Sequence, residues 1–443
     1  MSFLSHRYTL LAAGITAALA APTGAALADT APTVGAELAE IVVTARQREE
    51  KITDVPVSVQ AFSADDIKAA GIERPQDFIN LTAGVSAVQT AEIGDIQISI
   101  RGINTGRDAE TNFAFVVDGV LQTNPSALNQ ELNGVSQIEI LKGPQGALYG
   151  RNAVAGAMII STRKPTDKFE ADIDVGAGDY GLKKASVWLG GAVADGVKGS
   201  VSAYMRKTNG QWTNSRLNCN DCVDYLDEKG VTGRLMFDAA GGTIDVKAKA
   251  SKVTAGAINF NASLALAEIA SVLGNPVFSE NVNNHQFVYL NNIKPVNEQK
   301  NANFSIKGEW DTSLGKVTSY VAFNDQKNQF LTDGTSAAFY LYSLTPACQD
   351  SNNAASSGSM PPPFYYSANG PFVNSFLPPY SGTSCDGYQY QQRDQKDSSF
   401  ELRIASPGNQ PLRWLAGIYY GDIKRHVVVS QGYDPGTGGS FSA

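Results

Sequence analysis

Histidine and cysteine are scarce in this chain, at three and four residues out of 443. His285 and His426 stand apart from each other and from the cysteines. The one close pair, Cys219-Asn220-Asp221-Cys222, has no second Cys or His pair beside it, which argues against zinc or another metal. An excess of positive charge is missing too. The balance is −8 and the pI near 5.1, the wrong sign for a nucleic-acid partner. Long apolar runs are absent after the N-terminus, and a membrane-spanning helix needs about 20 such residues. Any membrane role falls to β-strands, whose signal per segment is weak. No Ser, His and acid are placed together as a catalytic group, so the chain reads as a non-enzyme without cofactor. The pair Asp65-Asp66 reads as helix-start charge.

What is present begins with an export signal. His6 and Arg7 precede an apolar stretch, Leu10 to Ala21, and Ala26-Leu27-Ala28 gives the small-x-small pattern for cleavage before Asp29. Pro22 and Gly24 argue against an anchored helix. Residues 1–28 are therefore expected to be a signal peptide, and the mature chain leaves the cytoplasm for a compartment where disulfides form. Residues 29–51 follow as a flexible segment. Within it lies a β-branched tract, Glu40, Ile41, Val42, Val43, Thr44 and Ala45. A short apolar strand between polar flanks suits addition to another sheet, and equally an ordinary first strand.

Residues 52–165 read as one mixed α/β domain. Val55 to Phe62 alternates like a strand, Ser63 is a helix N-cap, and Gly71 stops that helix. Pro75 to Leu81 suggests a second short helix, and Ile96 to Ile100 a strand leading into Arg101-Gly102. Asp118-Gly119 between apolar runs signals a hairpin.

From Glu170 the pattern changes to period two. Val197, Gly199, Val201, Ala203 and Met205 alternate with Lys198, Ser200, Ser202, Tyr204 and Arg206; similar runs surround Val246, Ile306 and Leu402. About nine strands are expected here. Short links at Ala194–Gly196, Gly241-Gly242, Thr312–Lys316 and Pro407–Gln410 alternate with long ones at Asn209–Lys229, Thr254–Lys300 and Leu331–Gln395. Short turns on one side and long loops on the other mark an outer-membrane barrel, not a sandwich. The fold class expected is mostly β: an α/β domain followed by an incomplete antiparallel transmembrane β-barrel over residues 166–443. All four cysteines fall in long links, so Cys219 with Cys222 and Cys348 with Cys385 are candidate loop disulfides, a redox or zinc role being the alternative. A helix is expected at Ala262–Leu273, and the Pro-, Ser- and Tyr-rich loop Ser356–Tyr380 is a candidate for ligand contacts or a plain surface loop.

Between the two patterns lies Ile138 to Pro165. Its Gly143, Pro144, Gly146, Leu148, Tyr149, Gly150, Ala153, Gly156, Thr162, Lys164 and Pro165 resemble the end of the plug domain in TonB-dependent outer-membrane receptors. Two positions depart: Ala155 stands where the family usually has a first Gly of a pair, and Ile159 where it usually has Asn. A phosphate loop is ruled out because no Lys-Ser or Lys-Thr follows Gly150.

The resemblance implies a TonB box at Glu40 to Ala45, which would pair with TonB, driven by its inner-membrane energising proteins. It implies energised uptake of a scarce ligand, most often a ferric siderophore, through a barrel seated in outer-membrane lipid of a Gram-negative cell. It also implies a plug arginine, Arg101, ion-paired to the barrel wall; a solvated strand end is the alternative. Plugged transporters have barrels of roughly 22 strands, so the sequence is expected to be the N-terminal part of such a receptor. The alternative is a truncated product that does not transport, at most a periplasmic plug-like binding module.

Overall fold

The computed structural model describes residues 41–433 except 90–95, 107–109, 125–126, 129–131, 215–216, 257–270, 272–287, 290–293, 334–386 and 409. The signal peptide, Glu40, His285, Cys348, Cys385, the Ser356–Tyr380 loop and all but Ser271 of the expected Ala262–Leu273 helix lie outside the described residues.

Short apolar runs give short elements at first. Strands β1 (Val42–Val43) and β2 (Glu50–Lys51) form a two-stranded antiparallel ladder. Then come β3 (Ser58–Ser63), α1 (Ala64–Ala69) and α2 (Pro75–Asn80). Ser63 caps α1: its hydroxyl accepts from the Asp66 N–H, and the Asp66 carboxylate accepts from Ser63 N–H. Gly71, at φ +64°, follows as the sequence suggests. Strands β4 (Val85–Gln89), β5 (Ile96–Ile100) and β6 (Ile103–Asn104) make a small antiparallel sheet. Strands β7 (Phe113–Val117), β8 (Val120–Gln122) and β9 (Val135–Lys142), the short α3 (Gly146–Tyr149), and β10 (Gly156–Thr162) complete this part.

The five-stranded sheet runs β3-β9-β10-β7-β8, with β10 parallel to β7 and antiparallel to β9. Both of its faces are covered. Phe78, Ile98, Phe113, Ile138, Ile140 and Met158 pack on one side. Val43, Ala45, Ala114, Leu141, Ala157 and Ile159 pack on the other. That explains why Ile159 stands in a strand as readily as a polar residue would: it is 4 % exposed in the second core.

The chain then enters a nine-stranded antiparallel sheet. Its strands are β11 (Glu170–Ala177), β12 (Lys183–Ala194), β13 (Val197–Thr208), β15 (Leu226–Ala239), β16 (Gly242–Ala255), β18 (Val296–Thr312), β19 (Gly315–Asp333), β20 (Gly387–Ala405) and β21 (Leu415–Tyr433). Two short strands, β14 (Thr213–Asn214) and β17 (Val288–Tyr289), pair outside it. Links of few residues join β12 to β13, β15 to β16, β18 to β19 and β20 to β21, and long ones join the remainder from β13 onward, as the sequence pattern requires. The sheet stays open, with β11 and β21 as its edges.

Alternation settles which face does what. Leu189, Val201 and Met205 point outward and are exposed, while Trp188, Ser202 and Tyr204 point inward and are buried. The same holds along β19, where Val321 and Phe323 are exposed and Tyr320 and Ala322 are buried. Arg234, Asp245, Asn301, Gln326 and Asp397 are among the buried residues. Apolar outside and polar inside is the arrangement of a wall between lipid and lumen, the reverse of a soluble sandwich.

Candidate functional site

The β-branched tract near the N-terminus is folded against the five-stranded sheet. Val43 and Ala45 are fully buried and Val42 is exposed. Pairing with β2 uses one edge of β1. The other contacts come from side chains. The Thr44 N–H donates to both carboxylate oxygens of Glu139, 2.9 Å each, and the Thr44 hydroxyl donates to Oε1 at 2.9 Å. Gln137 donates its amide to the Val42 carbonyl at 2.8 Å, and the Tyr149 hydroxyl donates to the Ala45 carbonyl at 3.0 Å. Ile41 accepts from Ile52 N–H at 3.0 Å. Glu139 is wholly buried. Burial pushes its pKa above the usual carboxylate value, and the Thr44 bonds pull the other way without cancelling it. Burial, helped by Glu139, also raises the Tyr149 phenol.

The Gly-rich stretch builds the turn beneath this clasp. Gly143 has φ +107° and Gly150 φ +70°, conformations that suit glycine. Gly143 N–H donates to the Ala155 carbonyl, and Gln145 N–H to the Ala153 carbonyl. Pro144 and Gly146 are exposed, Leu148 and Tyr149 half-buried. Gly156 is needed for a different reason: a Cβ there would meet the Leu141 carbonyl oxygen at 2.1 Å. Ala155 needs no left-handed turn; it is buried, and its N–H donates to Asn112.

Arg101 is exposed, at φ +51° beside Gly102 at φ +83°, in the turn between β5 and β6. Among the described residues no ion pair joins Arg101 to the wall. The wall is held instead by residues that pattern reading passed over. Glu73, in the α1–α2 link, accepts from Lys184 and from Arg206, the latter at 2.5 Å. Arg74 pairs with Glu228. Asp118, in the β7–β8 turn, accepts from Lys247 at 2.5 Å and from the Thr162 N–H and hydroxyl at 2.8 and 2.6 Å. Arg234 lies 4.0 Å from Asp118 and is bidentate to Asp245. Burial alone would raise the Asp118 pKa; Lys247 and Arg234 overcome it and hold the carboxyl well below the usual range. The Asp-Gly turn signal was legible, but its partner 129 residues later was not. Glu139 was likewise read only as part of a strand.

Cys219 is bonded to Cys222, and Cys222 is packed with Val223, Trp212 and Leu217 in a small cluster between β13 and β15. Among the described residues no group of His, Cys, Asp and Glu could hold a metal ion.

An α/β domain with an edge strand clasped at its surface, bolted by charges to the polar face of an outward-apolar wall, defines a plug-and-barrel protein. Residues 51–157 match the family model of the TonB-dependent Receptor Plug Domain. The "Pesticin receptor" of Yersinia pestis is 26% identical over 183 residues, 41% of this chain and 27% of that protein. The "Vitamin B12 transporter BtuB" of Vibrio vulnificus is 27% identical over 176 residues, 38% and 28% of the two chains. The crystal structure of the ferric yersiniabactin uptake receptor FyuA from Yersinia pestis superposes with a TM-score of 0.64 at 16% identity, covering 85% of this chain and 50% of that one. The chain thus spans about half the length of that receptor. Residues 51–157 match the plug of the TonB-dependent receptors, and the whole chain is similar in fold to the plug and part of the barrel wall of such an outer-membrane receptor.

Proposed function

We propose that the chain serves energised uptake: a ferric siderophore binds outside, TonB and its inner-membrane energising proteins engage Glu40 to Ala45 as a TonB box, and their pull rearranges the plug. The supporting observation is the way the described part of this tract is held. β1 is two residues long, pairs on one edge only, and is otherwise fixed by the side chains of Gln137, Glu139 and Tyr149. It can therefore leave without breaking any ladder of the five-stranded sheet, and a free extended segment is what strand addition to a partner sheet requires. The names of the relatives include an uptake receptor for ferric yersiniabactin, which supports a ferric siderophore as cargo, and a vitamin B12 transporter, which makes cobalamin the competing cargo. The outward apolar face supports outer-membrane lipid as the other partner.

The test is Val42→Pro in the full-length receptor. Proline fixes φ and removes a donor, so strand addition fails. Uptake of radiolabelled ferric siderophores should be lost while binding at the cell surface persists. Uptake at the parental rate would remove the TonB-box assignment.

A further inference from the structure

The seam between plug and wall holds a partly open cavity of about 130 Å³. Its charged lining is unbalanced. Arg163, Arg234, Lys247, Lys249 and Lys307 face it, against Asp118 and Asp245. Pairing accounts for several of these cations. Arg234 is bidentate to Asp245, Lys247 donates to Asp118, and Arg163 lies over the Trp188 ring at 4.0 Å while pairing with Glu170. Lys307 is different. It is 8 % exposed, yet no acceptor among the described residues lies within hydrogen-bond distance of its ammonium. The nearest carboxylate oxygen, on Glu309, is 3.6 Å away and is also approached by Lys316 at 3.9 Å.

The plug leaves room at this point. Gly119, at the tip of the β7–β8 turn, lies so close to the wall that a Cβ on it would be 3.8 Å from both Lys307 Nζ and Arg403 Nη2. The Lys307 ammonium keeps contact with the cavity but has no oxygen of the described residues within hydrogen-bond distance, and a guest with anionic oxygens supplies one. With roughly 10–15 Å³ of such space needed per water, the cavity holds several waters or one anionic group of a larger ligand.

We propose that this cavity is an oxyanion site, taking one carboxylate or phosphate group on Lys307 with Lys247 beside it. Two sources offer such a group: a free anion, or an anionic arm of a ligand passing between plug and wall. The second source rests on the uptake function proposed above; the first does not.

The experiment uses the receptor purified from outer membranes in detergent, titrated with inorganic phosphate against NaCl at matched ionic strength. Trp188, which lines the cavity, reports by fluorescence. A saturable change with a rise in unfolding midpoint is expected, and about tenfold weaker apparent affinity in Lys307→Gln, the loss of one charge-assisted bond. Ala322→Phe, which fills the cavity and keeps every charge, should abolish the effect and carries the test if Lys307→Gln does not assemble. No effect beyond NaCl, or an effect undiminished in both variants, overturns the site. Uptake separates the sources. Slower ferric siderophore uptake by Lys307→Gln with unchanged surface binding marks a ligand arm; unchanged uptake with the phosphate effect present marks a free anion.

Discussion

At the scale of single residues, the chemistry turns on groups that are ordinary in sequence and unusual in place. Glu139 is one acidic residue in an apolar strand, but it is buried and receives three hydrogen bonds from Thr44. Burial in the folded plug raises its pKa, and the Thr44 bonds offset this only in part. The folded plug therefore holds the proton more tightly than the unfolded chain, a contribution to stability that is full below the usual carboxylate value and is lost as pH rises through the raised one. Glu139→Gln, which cannot ionise, should gain on the parent in urea midpoint as pH rises through that range; a gap that does not change with pH would assign the effect elsewhere. Glu139→Ala leaves a Thr44 donor unsatisfied and should weaken docking by about 1–3 kcal/mol. Gly156→Ala tests backbone contact instead of charge. The added methyl meets the Leu141 oxygen, so β10 must shift from β9, at about 1–3 kcal/mol. A urea midpoint equal to that of the parent would show the strand to be looser than drawn.

At the scale of elements, the wall strands were legible because alternation, link length and turn residues all point one way. Val201 beside Ser202 repeats the pattern of Phe323 beside Ala322: one exposed, one buried. Helix α1 was legible from Ser63 and Gly71 for the same reason of local chemistry. What the sequence could not display was pairing across distance. Glu73 meets Lys184 and Arg206, separated from it by 111 and 133 residues, and no local pattern marks those partners. The family resemblance led toward Arg101, which lies exposed at its turn, while the bolts fell to Glu73 and Asp118. Wall register makes its own prediction. Val201 sits opposite Leu189 and Gly233 on the outward face. Val201→Arg should cost about 2–4 kcal/mol if this row lies near the bilayer midplane, and should lower the yield of heat-modifiable protein in the outer membrane. Val201→Leu should not. Equal yields would place the row outside the apolar band.

At the scale of the whole molecule, the plug meets the wall through charge, and the polarity is mostly of one kind. Carboxylates Glu50, Glu73, Glu110 and Asp118 on the plug side meet wall cations Arg413, Lys184, Arg206, Arg425 and Lys247; Arg74 on Glu228 and Arg163 on Glu170 are reverse cases. A seam of hydrogen-bonded charges can part and close without exposing apolar surface, which suits the plug rearrangement proposed above and which a greasy interface would not allow. The bolts differ in burial, so they differ in strength. The Glu73 side chain is 33 % exposed, and such pairs are worth about 0–1 kcal/mol. Asp118 is 10 % exposed, and removing one partner of a buried pair costs about 3–5 kcal/mol. The lower end applies here because Arg234 keeps Asp245 and Lys247 keeps the Thr162 hydroxyl at 3.3 Å. Asp118 is held below its usual pKa, so its bolt is present above the ordinary carboxylate range and fails only as pH falls through the lowered value; neutral and mildly acid media leave it intact. Limited proteolysis of the assembled receptor ranks the bolts. Asp118→Ala should expose the plug to cleavage while the wall stays resistant, and Glu73→Ala should change little. If the two variants are cleaved alike, burial does not set the strength of this seam, and the plug is retained by the closed shape of the barrel and not by its charges.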